Sequence, residues 1–288
     1  MAHPGRAAYS SRMLQPARPS EFSFDAADFA RVRKLIYQRA GISLHAGKQA
    51  MVYSRLSRRL RESGHASVGD YLQSLEQAIG AEGQRQWQEF VNSLTTNLTS
   101  FFREDHHFPV LAAELRRRKN ESTRIWCNAA STGEEPYSIA MTVLEALGSN
   151  PRVQVLCSDI DTEVLETAGQ GVYAADARGL SDQLRKRHFL RGTGANGGCI
   201  RVKPELRRLL EFRGFNLMDP RWSLGAAFDI VFCRNVMIYF DAPTQRVVLE
   251  RMHRAMHPGA LLFAGHSENF TESKDLFHLR GKTVYERT

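Results

Sequence analysis

Hydrophobic positions follow two different rhythms along the chain, and the change comes near residue 124. From Phe24 to about Leu98 the apolar residues recur at the three-to-four-residue spacing of helices, and no convincing strand is present. "DAADFARVRKLIYQRAG" carries Phe29, Val32, Leu35 and Ile36 on one stripe, with Asp25 placed to cap and Gly41 to stop the helix. "KQAMVYSRLSRRLRESG" puts Val52, Leu56 and Leu60 at four-residue spacing, and its other face is basic, with Lys48, Arg55, Arg58, Arg59 and Arg61. Ser67 and Asp70 open the next segment with capping-box spacing, and Trp87, Phe90, Val91 and Leu94 form a further stripe. The pattern predicts a small helical domain over 23–98, after a flexible tail over 1–22.

A linker and a helix near Phe108 to Lys119 fill 99–123. Beyond Arg124, short apolar runs alternate with helical periodicity. "RIWCNAAS", "VQVLCSDI", "FDIVFCRN" and "ALLFAGHSE" have the character of strands buried on both faces of a parallel sheet. "EPYSIAMTVLEALG", "TEVLETAGQG" and "TQRVVLERMHRAMHPG" lie between them. Such alternation predicts a doubly wound α/β domain over 124–288. It is interrupted around "FLRGTGANGGCIRV", where two β-like arms flank a glycine-rich turn, so an inserted β-subdomain is expected at about 188–215. "FHLRGKTVYERT" is expected to finish the sheet as a strand.

Composition narrows the class. Of 288 residues, 42% are hydrophobic and 24% charged, ordinary for a globular protein. No run approaches the ~20 apolar residues of a membrane span, and the first residues have no apolar core of a signal peptide, so a cytoplasmic location is expected. Cys127, Cys157 and Cys233 sit in strand-like runs, and no cysteine pair has C-x-x-C spacing, which argues against a zinc site or disulfides. His253 and His257 have metal-like spacing without the glutamate of the zinc-protease motif, and fit better as helix-end histidines. The net charge of +8, from 39 Lys and Arg against 31 Asp and Glu, favours an acidic partner without choosing it.

"AASTGEEPYS" falls at the end of the first strand, where doubly wound sheets bind ligands. It holds one glycine, Gly133, and neither the dinucleotide fingerprint nor a Walker loop. Pro136 suits the first helical turn, and Glu134 and Glu135 suit its dipole. Dipole compensation alone would explain either glutamate. Carboxylates facing the pocket would repel pyrophosphate and suit an ammonium or sulfonium group. Asp159, ending the second strand, stands where such folds bind a ribose diol, while Asp161 and Thr162 fit the cap of the next helix. An adenosine ligand with a cation and no phosphate points to S-adenosylmethionine.

"LTTNLTSFFRE", "STGEEPYSIA", "SDIDTEVLE", "FCRNVMIYFD" and "LLFAGHSENF" together closely resemble the CheR chemotaxis receptor methyltransferases, from about Phe24 to the C-terminus. The resemblance implies a doubly wound S-adenosylmethionine-dependent methyltransferase fold with a small inserted antiparallel β-subdomain, preceded by an all-helical domain. It implies methyl-ester formation on glutamates of chemoreceptor cytoplasmic helices, with S-adenosylhomocysteine as product. By motif, the cofactor site is expected to use Asn97, Thr99, Arg103, Glu135, Asp159, Asn216, Leu217, Asn235 and Val236. Arg103 and Tyr239 are expected near the transferred methyl, although Tyr239 in "MIYF" would serve equally as core. One departure is Asn128 and Ala129, where small apolar residues or glycine are expected at the start of the loop.

The partner implied is a methyl-accepting chemoreceptor. Arg55, Arg58 and Arg59 are expected to dock its methylation helices, against the plainer reading of a solvated face. In this family the inserted hairpin can tether a short peptide at the receptor C-terminus, and the enzyme would then be recruited to receptor clusters. A nucleic-acid methyltransferase is the rival the charge favours, but "CRNVMIY" stands where amino-methylating DNA enzymes carry N/D-P-P-Y/F. A non-catalytic sensor of the same cofactor would be expected to lack Arg103 or Tyr239, and both are present.

Overall fold

The structure, a computed structural model, describes residues 21–288. The expected tail lies outside the described residues except for Glu21 and Phe22, which reach α2 and the helical core respectively. The helical domain consists of α1 (Ala26–Ala40), α2 (Gln49–Ser63), α3 (Val68–Gln77) and α4 (Gly80–Leu94). Local chemistry sets its boundaries. Asp25 and Asp28 form a reciprocal capping box before α1, and Gly41 ends it in the left-handed conformation at φ 70°. The Ser67 hydroxyl accepts from the Asp70 amide to open α3. The four apolar stripes meet in one core that includes Val32, Ile36, Leu56, Leu60, Leu72 and Phe90, all fully buried.

After the linker comes α5 (His107–Arg117), then the α/β domain: β1 (Thr123–Cys127), α6 (Glu134–Leu147), β2 (Val153–Asp159), α7 (Thr162–Gln170), β3 (Val172–Ala174), α8 (Asp182–His188), β4 (Phe189–Arg191), β5 (Cys199–Val202), α9 (Pro204–Arg207), β6 (Leu210–Gly214), β7 (Phe228–Cys233), α10 (Ala242–Ala255), β8 (Met256–Ala264), β9 (Phe277–Gly281) and β10 (Val284–Arg287). The large sheet has the order β6-β2-β1-β7-β8-β10-β9. Its first five strands are parallel, and β10 runs antiparallel to both β8 and β9. Successive side chains of β1 point to opposite faces: Ile125 and Cys127 enter one core with α5 and α6, and Trp126 enters another with α10. Strands are added outward in one direction from β1 and in the other from β7, and this switch point creates a crevice at their carboxyl ends.

Three details differ from expectation. The inserted sheet, ordered β3-β5-β4, spans Val172–Val202 and not 188–215, because Leu210–Gly214 pairs in parallel with β2 in the large sheet. The last segment is a hairpin of two strands turned by Lys282 and Thr283, both at positive φ. His257 lies on β8, since α10 ends at Ala255; His253 instead meets the Thr288 hydroxyl at 3.1 Å. Among the described residues no helix is long and apolar enough to cross a membrane, and no cluster of three or more metal-binding side chains is present.

Candidate active site

A cavity of about 490 Å³ opens at the carboxyl ends of β1, β2 and β7 and is roofed by the helical domain. Its size is that of a small-ligand site. The β1–α6 loop builds one wall. Gly133 sits at φ 99°, and a Cβ there would meet the Tyr173 hydroxyl at 2.6 Å, so only glycine fits the turn. The turn aims α6 into the cavity, and the two glutamates of its first residues part company. Glu134 stays half-buried and accepts from the Thr132 hydroxyl at 2.6 Å. Glu135 is buried, takes the Arg234 guanidinium on one oxygen and the Cys127 thiol on the other at 3.3 Å. Burial works against the charge of Arg234, but Glu135 and Glu104 beside it hold its pKa above the ordinary arginine value.

Asp159 ends β2 facing the cavity. Its carboxylate accepts the backbone amides of Ser131 at 2.8 Å and Asp161 at 3.0 Å. Burial outweighs these bonds and pushes its pKa up to about 6. Asp161 caps α7 as expected, through the amides of Glu163 and Val164. Its second oxygen does something the spacing did not suggest: it accepts the Thr95 hydroxyl at 2.6 Å and the Asn97 amide at 2.7 Å, pinning the linker.

The linker forms the next wall. The Asn97 carbonyl accepts from the Ser131 hydroxyl at 2.9 Å. Arg103 lines the cavity, donates to the Leu98 carbonyl at 2.9 Å, and offers its own carbonyl to Arg234. Its neighbours Phe102 and Glu104 both have positive φ, a tight turn into which Ser138 donates no proton but accepts one from the Phe102 amide at 2.9 Å. Opposite, Asn235 and Val236 follow β7, and Tyr239 closes a 3-10 turn, with its carbonyl accepting the Ser43 amide at 2.8 Å. Asn216 donates to the Arg39 carbonyl at 2.7 Å across the domain boundary, and Leu217 is buried beside it.

Asn97, Thr99, Arg103, Glu135, Asp159, Asn216, Leu217, Asn235, Val236 and Tyr239 therefore line a single cavity. The three α2 arginines expected to dock the receptor, Arg55, Arg58 and Arg59, do not. Arg55 donates to the carbonyls of Leu94 and Thr95, both at 2.7 Å, and to the Thr96 hydroxyl at 2.9 Å. Arg59 pairs with Glu89 and, at 3.5 Å, with Glu62. Only Arg58 projects outward, its side chain 73% exposed. Arg55 and Arg59 are thus committed to internal partners, which an arginine-rich helix face does not disclose.

Two contributors were not singled out in the sequence, Arg234 and Glu104, while Asn128 stood out there only as a departure at the start of the loop. A charged residue ending an apolar strand, as Arg234 ends "FDIVFC", was a usable signal. Asn128 bears on the ligand. Both polar atoms of its side chain are buried without a protein hydrogen-bond partner, and the residue lines the cavity. Buried amides are rarely left so. With an acidic group ending β2, an ion pair at α6 and apolar Ile42 and Leu217 nearby, the cavity fits a polar adenosine ligand carrying a cation.

Residues 27–95 match the family described as "CheR methyltransferase, all-alpha domain", and residues 97–286 match "CheR methyltransferase, SAM binding domain". The chain is 52% identical over 269 residues to chemotaxis protein methyltransferase 2 of Pseudomonas aeruginosa, covering 92% of this chain and 94% of that one. It is 52% identical over 261 residues to the chemotaxis protein methyltransferase of Salmonella typhimurium, covering 90% and 89%. A chemotaxis protein methyltransferase of Borreliella burgdorferi is 32% identical over 267 residues, covering 89% and 93%.

Proposed function

Because the chain belongs to the CheR methyltransferase family, and is an S-adenosylmethionine-dependent chemotaxis methyltransferase, we propose that its acceptors are glutamate side chains on the cytoplasmic helices of chemoreceptors. The product would be a glutamate methyl ester together with S-adenosylhomocysteine. The observation that carries this reading is the convergence of Arg103 and Tyr239 with Asp159 and Glu135 on one roofed cavity.

When bound, the cofactor supplies an electrophilic methyl group on a sulfonium. The residues of the chain hold and align. Asp159 accepts the ribose hydroxyls, and the buried amide of Asn128, without a protein hydrogen-bond partner, lies in the wall beside the same ligand. Glu135, already half-neutralised by Arg234, offers a moderated negative charge to the ligand's ammonium. A glutamate carboxylate has a reference pKa of about 4.3, so it arrives ionised at neutral pH and needs no general base. What remains is to place its oxygen about 3 Å from the methyl, in line with sulfur, and to exclude water. Arg103 fixes a carboxylate, either the acceptor's or the cofactor's own. The Tyr239 hydroxyl donates beside it.

The edge of the small sheet supports a second contact. β4 and β3 are its outer strands, so an extended peptide from the receptor C-terminus can add to the sheet. Such tethering would recruit the enzyme to receptor clusters. A cognate tail peptide should bind at about micromolar strength and shift the signals of Gly192 to Val202. Absence of binding by any cognate tail leaves the hairpin without that role. The central test is incubation with labelled S-adenosylmethionine and chemoreceptor membranes. Base-labile label on the receptor supports the ester; base-stable label, or none, overturns it.

A further inference from the structure

Glu268 lies outside every role assigned above, yet it is among the most thoroughly bonded side chains of the molecule. It is 4% exposed. One carboxylate oxygen accepts the amides of Val236 at 2.9 Å and Met237 at 2.8 Å; the other accepts those of Asn235 at 3.0 Å and Gly265 at 2.5 Å. Among the described residues no basic side chain pairs with it by ion-pair distance, so its charge is met by backbone amides alone. We propose that Glu268 is a positioning residue for methyl transfer, holding the Asn235–Tyr239 turn in the shape that presents Asn235, Val236 and Tyr239 to the cavity.

The turn requires such a clamp. Asn235 has φ 59°, a left-handed conformation that asparagine tolerates better than most side chains but that its surroundings must still hold. The amides of Asn235, Val236 and Met237 lead into the 3-10 turn Met237–Tyr239, where the first N–H groups have no carbonyl partner within the turn and need an outside acceptor. One carboxylate has lone pairs for all of them. The loop carrying Glu268 is pressed against the turn: a Cβ on Gly265 would meet the Asn235 side-chain nitrogen at 2.5 Å and the Glu268 carboxylate at 2.9 Å. The same loop reaches the opposite wall, where His266 meets Glu104 at 3.0 Å, next to Arg103. One short segment thereby sets the distance between the Tyr239 side of the cavity and the Arg103 side.

Glutamine is the sharpest probe. Glu268→Gln keeps size and shape but turns one acceptor into a donor that faces amide donors. Folded Glu268→Gln protein is expected to bind S-adenosylhomocysteine at least about 10-fold more weakly by calorimetry. With saturating cofactor, its kcat on receptor is expected to fall by a similar factor, on the scale of a disturbed near-attack geometry. A merely structural carboxylate would lower the melting temperature and leave both constants of the folded fraction unchanged. That result, or changes below about threefold in both, overturns the proposal. If Glu268→Gln does not fold, Glu268→Asp takes its place in both measurements, since it keeps the charge and retracts it by one methylene. In the wild-type protein the amides of Asn235, Val236 and Met237 should exchange slowly with solvent even without ligand; exchange at the rate of an exposed loop also overturns it. Product binding is read without any receptor, so failure of the glutamate-ester reading would leave this test intact.

Discussion

The two walls of the cavity are built on opposite principles. On the sheet side the carboxylates are buried and already bonded: Glu135 to Arg234 and Cys127, Asp159 to two backbone amides, Glu268 to four. On the helical side, Ile42, Leu44 and Met51 offer apolar surface, and His45 and Lys48 are exposed. Groups held by bonds in a low-dielectric site cost little reorganisation when charge develops near them. Exposed long side chains at a rim can adapt to a macromolecule. On that difference we propose the sheet as the side of the small ligand and the helical roof as the side of the protein substrate. Stitches across the boundary keep the two in register, among them Tyr37 to Asp241 at 2.9 Å, Gln88 to the Ile160 carbonyl at 2.6 Å and Asn216 to the Arg39 carbonyl.

Substitutions on the sheet and linker side should therefore have the larger effects. Arg103→Ala is expected to lower the rate of receptor methylation at least ~100-fold, the scale of a lost transition-state donor. Arg103→Lys should recover little, because a point charge does not replace a planar fork. Thermal melts confirm folding. A folded Arg103→Ala protein that methylates near the wild-type rate would make the linker wall structural and erase the contrast.

Asp159→Ala is expected to weaken S-adenosylhomocysteine binding by ~1.5–3 kcal/mol, the range for bonds to a charged partner. Calorimetry with unchanged affinity removes Asp159 from the site. Its pKa, about 6 in the free protein, adds a signed expectation. Because the folded value lies above the unfolded value of about 3.9, the Asp159 contribution to stability is fully present below pH ~4 and is lost as pH rises through about 6. Hydroxyl donors favour the ionised carboxylate, so product binding should tighten from pH 5 to pH 7, with proton release below about 6. Asp159→Asn should abolish that part of the pH dependence.

How much of this was legible depends on sequence distance. The caps at Asp25, Ser67 and Asp161 act on amides two or three residues away, and the stripes through Val32 and Ile36 or Leu56 and Leu60 repeat every turn. Such features are written locally. Gly133 and Asp159 were recognisable because a doubly wound sheet has known ligand positions, whereas Glu135, Asn97, Asn216 and Asn235 were expected only through motif resemblance. Glu268 meets amides 31–33 residues away, and Arg55 meets carbonyls 39–40 residues away. No periodicity reveals either. β6 fell within the expected bounds of the inserted subdomain for the same reason: its partner β2 lies some fifty residues earlier.

Tyr239 tests the seam between the walls, since it lines the cavity and also packs against the helical core. Tyr239→Phe removes the hydroxyl and keeps the ring, so the packing should persist. A loss of ~10-fold in kcat with little change in KM is expected if the hydroxyl bonds mainly at the transition state. A variant with wild-type kcat would place Tyr239 wholly in the core.

The smallest effect is expected on the roof, and it separates two arginines one helical turn apart. Arg58 is highly exposed, and among the described residues its guanidinium forms an ion pair with Glu62 alone, at 3.4 Å. Arg55 grips the segment Leu94–Thr96, which leads directly into Asn97 of the cavity wall. If α2 docks an acidic receptor helix, Arg58→Glu should raise KM for receptor by roughly 2–5-fold, as expected for one exposed charge contact. It should also reduce the salt sensitivity of the rate. Melting temperature and cofactor affinity should not move. Arg55→Ala should do the reverse: lower the melting temperature and weaken product binding, because three bonds that hold the linker are lost. Equal behaviour of the two variants would show that α2 acts as one structural unit. Wild-type KM in Arg58→Glu would leave that face solvated and move the docking surface toward the exposed Lys48 at the cavity rim.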